Sequence, residues 1–337
     1  MKKYRFNLQL FAEMNTQTTL LNAVGNDLSA EMKTYYCKQL LEDAKPNLVH
    51  DQFGQKRGIP RNGGKTIEWR KFSSLPVATT PLTEGVTPDG NKLNVTPITA
   101  TVQQYGDYIV QTDVLELTSI DNTILQATRV LGSQAGLTLD TIVRDQINAG
   151  TNVIFAGNGN TQPTSRATLT ADCKLNVEIV FRAARNLKRQ NAPKINGDYV
   201  AVIHPDVAFD LMRCDEWIEA HKYTTPENIY NGEIGKIGNV RFVESTQSKI
   251  FAGEGCPDGL AVYSTLVMGA DAYGVVDIEG GGLEHIVKQK GSGGVSDPLN
   301  QRSSIGWKAM SVARILDETR IVRIESCSTF SASATAN

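Results

Sequence analysis

Histidine is scarce in this chain, and cysteine is both scarce and scattered. The four histidines, His50, His204, His221 and His285, lie far apart with no H-E-x-x-H or comparable spacing, so neighbouring positions supply no zinc ligand set. Five cysteines, Cys37, Cys173, Cys214, Cys256 and Cys327, include no C-x-x-C pair. That excludes a zinc ribbon, and an odd, dispersed set is no disulfide framework; reduced, cytosolic thiols are expected. No apolar run approaches the roughly 20 residues that span a bilayer, and no membrane association is expected. The basic start at Lys2 and Lys3 does not open an export signal, because Asn7 and Gln9 interrupt any apolar core segment. A dominant charge is missing too: 34 Lys and Arg against 36 Asp and Glu leave a formal net charge of −2. Such a balance does not suit a protein whose task is to neutralise many phosphates.

Catalytic motifs are equally sparse. Gly63-Gly64-Lys65-Thr66 ends like a phosphate-binding loop, but that loop needs a glycine at position 59, where Ile59 stands. The β-prone segment Ile67–Phe72 follows, so the helix N-terminus that would cradle phosphate is not in place. His204, just before Pro205-Asp206, reads as a cap on a strand-to-helix turn. There is no G-x-S-x-G, and Gly157-Asn158-Gly159-Asn160 lacks the flanking strand and helix of a dinucleotide site. Asp215 and Glu216 are adjacent, so on a helix they diverge towards solvent. The expectation is a protein without catalytic residues, cofactor or metal.

What the chain does carry is pattern. With 40% hydrophobic and 21% charged residues the composition is globular, and 337 residues exceed the usual size of a single core, which predicts two interlocked subdomains. Leu21, Val24, Leu28, Met32, Tyr35 and Leu40 predict a helix ending near Lys45, before Pro46. From Asp121, an N-cap candidate, Ile124, Leu131, Ala135, Leu139 and Ile142 line one side of a second helix that Gly150 can end. It would be about 40 Å long. Gly132 and Gly136 weaken it by about 1 kcal/mol each, so a neighbour must pack closely there. Leu175, Ile179, Ala183 and Leu187 mark a third helix, with Arg182, Arg185 and Arg189 on its other side. That stripe reads as a solvated face, or else as a surface that meets acidic residues of another subunit or encapsulated phosphate. Then come short strands at Tyr199–His204, Val240–Glu244, Leu260–Leu266 and Tyr273–Ile278, with a helix after Pro205. Ile305–Ile315 and Thr319–Ile324 are further strands, so the class is α+β.

Between the first two helices the chain makes its most unusual excursion, Trp69 to Asp113. Ile98, Ala100 and Val102 alternate with Thr99, Thr101 and Gln103, the two-residue period of a strand with one apolar face. Pro88-Asp89-Gly90 supplies the reversal, and Pro76, Pro81, Pro88 and Pro97 belong on edges. An arm this long with little core of its own is a functional element or a floppy insertion.

Several blocks then carry a resemblance. Phe6-Asn7-Leu8-Gln9-Leu10-Phe11-Ala12 is similar to the opening of many tailed-phage major capsid proteins of Gram-positive hosts. Gly64-Lys65-Thr66-Ile67-Glu68-Trp69-Arg70-Lys71, Ile237-Gly238-Asn239-Val240-Arg241-Phe242-Val243-Glu244, and Asp297-Pro298-Leu299-Asn300-Gln301-Arg302 with Gly306-Trp307-Lys308 resemble blocks of one such capsid family, in order along the chain.

The resemblance implies the fold shared by tailed-phage capsids, encapsulins and herpesviruses. Residues 1–57 would be the N-terminal arm and helix, 58–112 the extended β-hairpin loop, 113–191 with 295–326 the peripheral domain carrying the spine helix, 192–294 the axial domain, and 327–337 a tail. It also implies the function: self-assembly into pentamers and hexamers of an icosahedral shell around double-stranded DNA, in a virion capsid assembled in the host cytoplasm. Scaffolding would come from a separate protein, because the first amphipathic helix begins almost at once; portal and decoration proteins are further partners. Inter-subunit contacts would fall on Leu8, Leu10 and Phe11 of the arm and on Glu84, Pro88, Asp89, Gly90 and Lys92 of the loop. Rival readings are an encapsulin-like compartment, another β-rich virion component such as a tail or decoration protein, and an enzyme of the P-loop type.

Overall fold

Four strands open the described chain of this computed structural model: β1 (Gln55–Ile59), β2 (Thr66–Phe72), β3 (Val95–Thr101) and β4 (Gln103–Thr112). Two helices, α1 (Asp113–Thr118) and α2 (Thr123–Asn148), lead to β5 (Val153–Phe155) and α3 (Val177–Arg189). Next are β6 (Tyr199–Ile203), α4 (Pro205–Met212), α5 (Asp215–His221), β7 (Glu233–Ile237), β8 (Val240–Glu244) and β9 (Ile250–Phe251). The chain ends through β10 (Val262–Met268), β11 (Tyr273–Ile278), β12 (Glu284–Lys288), β13 (Arg302–Ile315) and β14 (Ile321–Ser326). The structure describes residues 40, 48–82, 84–87, 89–118, 123–158, 162–221, 233–278, 281–293 and 297–337. The helix expected from Leu21 to Lys45, apart from Leu40, and the cap Asp121 lie outside these residues.

The chain divides into two units, one of Met1–Asp43, Gly106–Gln134 and Leu283–Lys308, the other of Ala44–Tyr105, Ala135–Gly282 and Ala309–Asn337. The second unit is built on a seven-stranded sheet in the order β5-β14-β10-β6-β8-β7, with β9 beside β10. Every residue of β6 and β10 is buried. Strands covered on both faces need such continuous apolar runs rather than alternation. Tyr199, Ala201 and Ile203 share one core with Leu187 of α3, Leu211 of α4 and Trp217 of α5. Val200 and Val202 point into another with Val143 and Ile147 of α2. Because β6 and β8 run parallel, a crossover must join them, and α4 and α5 lie on it.

Local chemistry sets most element ends. Asn176 caps α3, its side chain accepting from Ile179 N at 3.0 Å, while Glu178 in the first turn and Lys188 and Arg189 in the last complement the helix dipole. The four positions expected to face inward, Leu175, Ile179, Ala183 and Leu187, are all buried. His204 is the cap of α4, with Nδ1 accepting from Asp206 N at 3.2 Å and Pro205 in the first turn. The β7–β8 connection is a tight turn in which Gly238 and Asn239 both take positive φ, 59° and 67°, as hairpins with this twist require.

Helix α2 starts at Thr123 and ends at Asn148, where the Arg323 guanidinium bonds the terminal carbonyl Asn148 O and, at 3.1 Å, Gly150 O just beyond the helix. Its buried face is not the one the apolar residues alone indicate. Leu131 and Ala135 are buried as expected, but Leu139 and Ile142 are only half-buried, and Asp140, Val143, Arg144 and Ile147 go inside. Asp140 can do so because its carboxylate accepts from His50 N and from His50 Nδ1, both at 2.7 Å. Tyr273 OH in turn donates to His50 O. Arg144 is accommodated by Gln247 O at 3.0 Å and by Asp145 at 2.9 Å.

Asp140→Ala would strand the two buried hydrogen-bonding groups of His50 and is expected to lower the unfolding free energy by about 3 kcal/mol. Urea denaturation of the purified chain reads this, and an unchanged midpoint would contradict it. A second expectation concerns acid. Burial pushes the Asp198 carboxyl up, but Lys236 Nζ at 2.7 Å and Arg241 Nε at 3.0 Å outweigh it and hold the group below its ordinary value. A depressed carboxyl contributes stability that is complete above its unfolded value near pH 4 and is lost as pH falls through the lower folded one. Stability should therefore drop below about pH 4, and Asp198→Asn should flatten that limb of the pH profile.

Candidate assembly surface

Strands β2 and β3 form a two-stranded hairpin in antiparallel register, from Thr66 opposite Thr101 to Phe72 opposite Val95. Alternation on its return strand is as expected: Ala100 and Val102 are buried and Ile98 half-buried, while Thr99, Thr101 and Gln103 are exposed. The paired arms are shorter than the stretch Trp69–Asp113, because β4 leaves the hairpin and pairs with β13. Pro97 fits this geometry, since a two-stranded ribbon consists of edges.

The root of the hairpin is held firmly. Trp69, only 5% exposed, packs in a small core with Ile59, Ala100, Val102 and Val276. Gly274 of β11 makes the space, for a Cβ there would lie 2.7 Å from Trp69 Cζ2. Lys71 Nζ adds an ion pair with Asp317 Oδ1 at 2.8 Å. Beyond the last ladder bond, Ser73 N to Asn94 O at 3.1 Å, every described residue is exposed and no strand or helix forms. Gly85 turns the chain there at φ 78°.

This tip is apolar for a solvent-facing loop. Leu75, Val77, Leu82, Val86 and Leu93 are all exposed, Val77 to 86% and Leu82 to 77%. Phe72 and Val95 extend the same bare surface down the hairpin. Of the positions predicted from sequence, Glu84, Asp89, Gly90 and Lys92 lie on this tip and are exposed. None of the three charged ones forms an ion pair among the described residues, and a Cβ on Gly90 would have nothing within 4 Å. Pro88, Leu8, Leu10 and Phe11 lie outside the described residues. Sequence reasoning named the charged and turn residues of the tip and overlooked its aliphatic ones, although their spacing through the Pro/Thr-rich stretch was readable.

The other unit has its own exposed surface, which sequence reasoning missed. Strand β4 packs against β13 so closely that a Cβ on Gly306 would meet Tyr108 Cβ at 2.8 Å. A cleft of about 340 Å³ opens beside them, lined by Asp107, Tyr108, Ile286, Lys288 and Trp307. The Asp107 carboxyl accepts from Gln134 Nε2 at 2.6 Å and from Tyr108 N at 2.8 Å, and these bonds hold it below its ordinary value. Tyr108, Val110, Val114 and Leu117 stand exposed on β4 and α1. The alternation of Tyr108 and Val110 was the available signal.

The features that suggested chemistry have structural explanations. Gly63-Gly64-Lys65 is an exposed turn, with Gly63 N bonded to Pro60 O at 2.9 Å and Gly64 at φ 88°, and Thr66 begins a strand rather than a helix. His204 is occupied as a cap, and burial lowers its pKa. Among the described residues no group of three or more His, Cys, Asp or Glu could hold a metal ion, and no helix is long and apolar enough to cross a membrane. Cys173, Cys214, Cys256 and Cys327 are free thiols, and burial pushes Cys327 up to about 11.

Known proteins place this architecture. A family model described as phage capsid protein matches residues 95–324, more than half of the chain. No curated protein sequence matches it. Among solved structures, the cyanophage Pam1 capsid asymmetric unit is similar at 12% identity, with 85% of this chain and 92% of that one covered and a TM-score of 0.66. The capsid of Ralstonia phage GP4 is similar at 14% identity over 83% of this chain and 88% of that one, with a TM-score of 0.65. A virus-like particle from Pyrococcus furiosus is more distant, at 9% identity, 87% and 99% coverage and a TM-score of 0.51. At such identities the structures speak for the α+β fold, and the family model speaks for the lineage. The chain therefore belongs to the phage capsid protein family, as a structural major capsid protein that forms the shell.

Proposed function

We propose that the hairpin tip is the part of this capsid protein that reaches a neighbouring subunit, and that residues 74–93 lie on that neighbour's surface in the shell. The observation that carries this is a hairpin anchored at Trp69 and bare beyond Ser73, with its aliphatic side chains turned to water. Fully burying one Leu or Val contributes about 1.5–3 kcal/mol, so several on one tip supply a real but modest contact. Repetition around a shell then gives stability that no single contact has. Glu84, Pro88, Asp89, Gly90 and Lys92 would border the contact, and Leu8, Leu10 and Phe11 would clasp a further copy.

In this reading the copies close into pentamers and hexamers through head-to-tail interfaces. Residues 192–294 serve as the axial domain, and residues 113–191 with 295–326 serve as the peripheral domain. The shell encloses double-stranded DNA, forms in the host cytoplasm, and has a separate scaffolding protein, a portal and decoration proteins as partners. The chain is a structural protein without catalytic activity of its own. An encapsulin-like compartment is the second reading, since the fold is shared with a virus-like particle whose description names no phage; the phage family match weighs against it. Nucleic acid in purified particles favours the first, protein cargo the second.

Deleting residues 79–93, which spares the ladder pair Phe72–Val95, should leave a folded, soluble chain that forms no closed shells by negative-stain microscopy. Wild-type-like particles from this deletion would refute the proposed contact. Gly274→Val should expel Trp69, shift its fluorescence to the red and lower shell yield, with Trp69→Phe identifying the emission. Purified wild-type chain should show no ATP hydrolysis that Lys65→Ala abolishes; a Lys65-dependent rate would instead establish the enzyme reading.

A further inference from the structure

Two exposed charged patches on one face of the larger sheet have no ion-pair partner among the described residues. Helices α3, α4 and α5 all feed the same core, Leu187 and Trp217 included, so they form a single layer. On the outer side of α3 stand Arg182, Arg185, Lys188 and Arg189, all exposed. Arg182 bonds Gln162 Oε1 at 2.7 Å, and Arg185, Lys188 and Arg189 have no carboxylate partner among the described residues. Glu178, the helix's lone acidic residue, sits at its first turn. Phe181 lies within this basic face, 48% exposed, since residues three and four apart on a helix are neighbours and it precedes Arg185 by four.

The second patch has the opposite sign. Asp215, Glu216 and Glu219 of α5 are exposed and without a basic partner among the described residues. Ile218 stands among them, 44% exposed. Arg213, the nearby cation, is turned onto the Phe209 ring at 5.3 Å. The Phe181 ring rests with one edge on Gly238 of the β7–β8 turn, where a Cβ would lie 2.2 Å from Cε1; each patch is thus a charged field around one half-exposed apolar side chain, and the two fields are complementary.

Resting on the capsid reading above, we infer that the basic face of α3 docks against the acidic α5 of the adjacent copy in a capsomer. A ring is built from heterologous contacts, in which one patch of each copy meets a different patch of the next. One chain must therefore carry both halves of the interface, and this layer does. Phosphate fits the α3 face less well, because it would engage the cations alone and leave the exposed half of the Phe181 ring against a polar backbone, whereas an acidic helix that also carries Ile218 offers that half an apolar neighbour. Charge complementarity of this kind fixes the register of docking and speeds encounter. Salt screens it over roughly 8–10 Å, so capsomer formation slows as ionic strength rises.

The test is a charge swap in the full-length chain, expressed with its neighbouring genes and scored by shell yield on gradients and by electron microscopy. Arg185→Glu with Arg189→Glu should cut the yield about tenfold, and so should Glu216→Arg with Glu219→Arg. Combining all four substitutions should restore most of it, which a misfolded chain could not do. If either reversed side assembles normally, or the combination stays defective, the pairing is wrong. Normal shells that have lost DNA in the Arg185→Glu, Arg189→Glu chain would overturn it in favour of a phosphate-facing helix. Wild-type expression separates the two levels: absence of shells there removes the capsid assembly reading itself, whereas normal wild-type shells with indifferent variants remove only the α3–α5 contact.

Discussion

Trp69 occupies a space that exists only because residue 274 has no side chain, and the hairpin hangs from that contact. A two-stranded ribbon cannot bury enough apolar surface to hold itself in one orientation. Here the indole, the adjoining Ala100 and Val102, and the Lys71–Asp317 ion pair fix its base, and the body contributes nothing further along. The arm is therefore directed without being covered. Its leucines and valines keep a hydrophobic surface that the described residues leave uncovered, which is the basis of the contact proposed above.

The firmness of the root comes from the unit that holds it. The seven-stranded sheet is sandwiched between α3, α4 and α5 on one face and the C-terminal half of α2 on the other, so its central strands have no solvent side. Charged groups that enter this unit are matched in place. Glu325, 1% exposed, is held by Arg166 at 2.7 Å and Arg323 at 2.9 Å, and Asp140 by His50. Buried charges arranged in this way add little net stability but penalise any alternative packing. A subunit that must present the same surfaces in every copy of a shell is suited by such a base, with adaptability left to the arm.

Much of this was readable in advance, and unevenly so. Helix α3 was legible because Ile179, Ala183 and Leu187 recur at four-residue steps and are all buried, so periodicity and burial agree, Phe181 among the arginines being the exception. Strands β6, β8 and β11 were found because their apolar runs are bounded by turn residues. Helix α2 was found but rotated, since the apolar count favoured Leu139 and Ile142 over Asp140 and Arg144. Partners 90 residues upstream, at His50, and 103 residues downstream, at Gln247, make those polar residues buriable. The hairpin was recognised by alternation and overextended, because β4 alternates like β3 and only its pairing with β13 separates them. The cleft beside Trp307 was missed altogether, since it forms where strands distant in sequence meet.

The amino-acid sequence by itself determined the local grammar of this protein: the caps at Asn176 and His204, the tight Gly238-Asn239 turn, the strand after Lys65 that rules out a phosphate cradle, and the family blocks spread along the chain. Those features depend on residues within one or two turns of each other, where backbone sterics and side-chain hydrogen bonds decide the outcome. Only the tertiary structure decided which polar groups are buried, where the hairpin ends, and that its aliphatic tip, the α3 face and the α5 face are left bare. Exposure is a property of what fails to pack against a residue, and that is set by the whole chain at once.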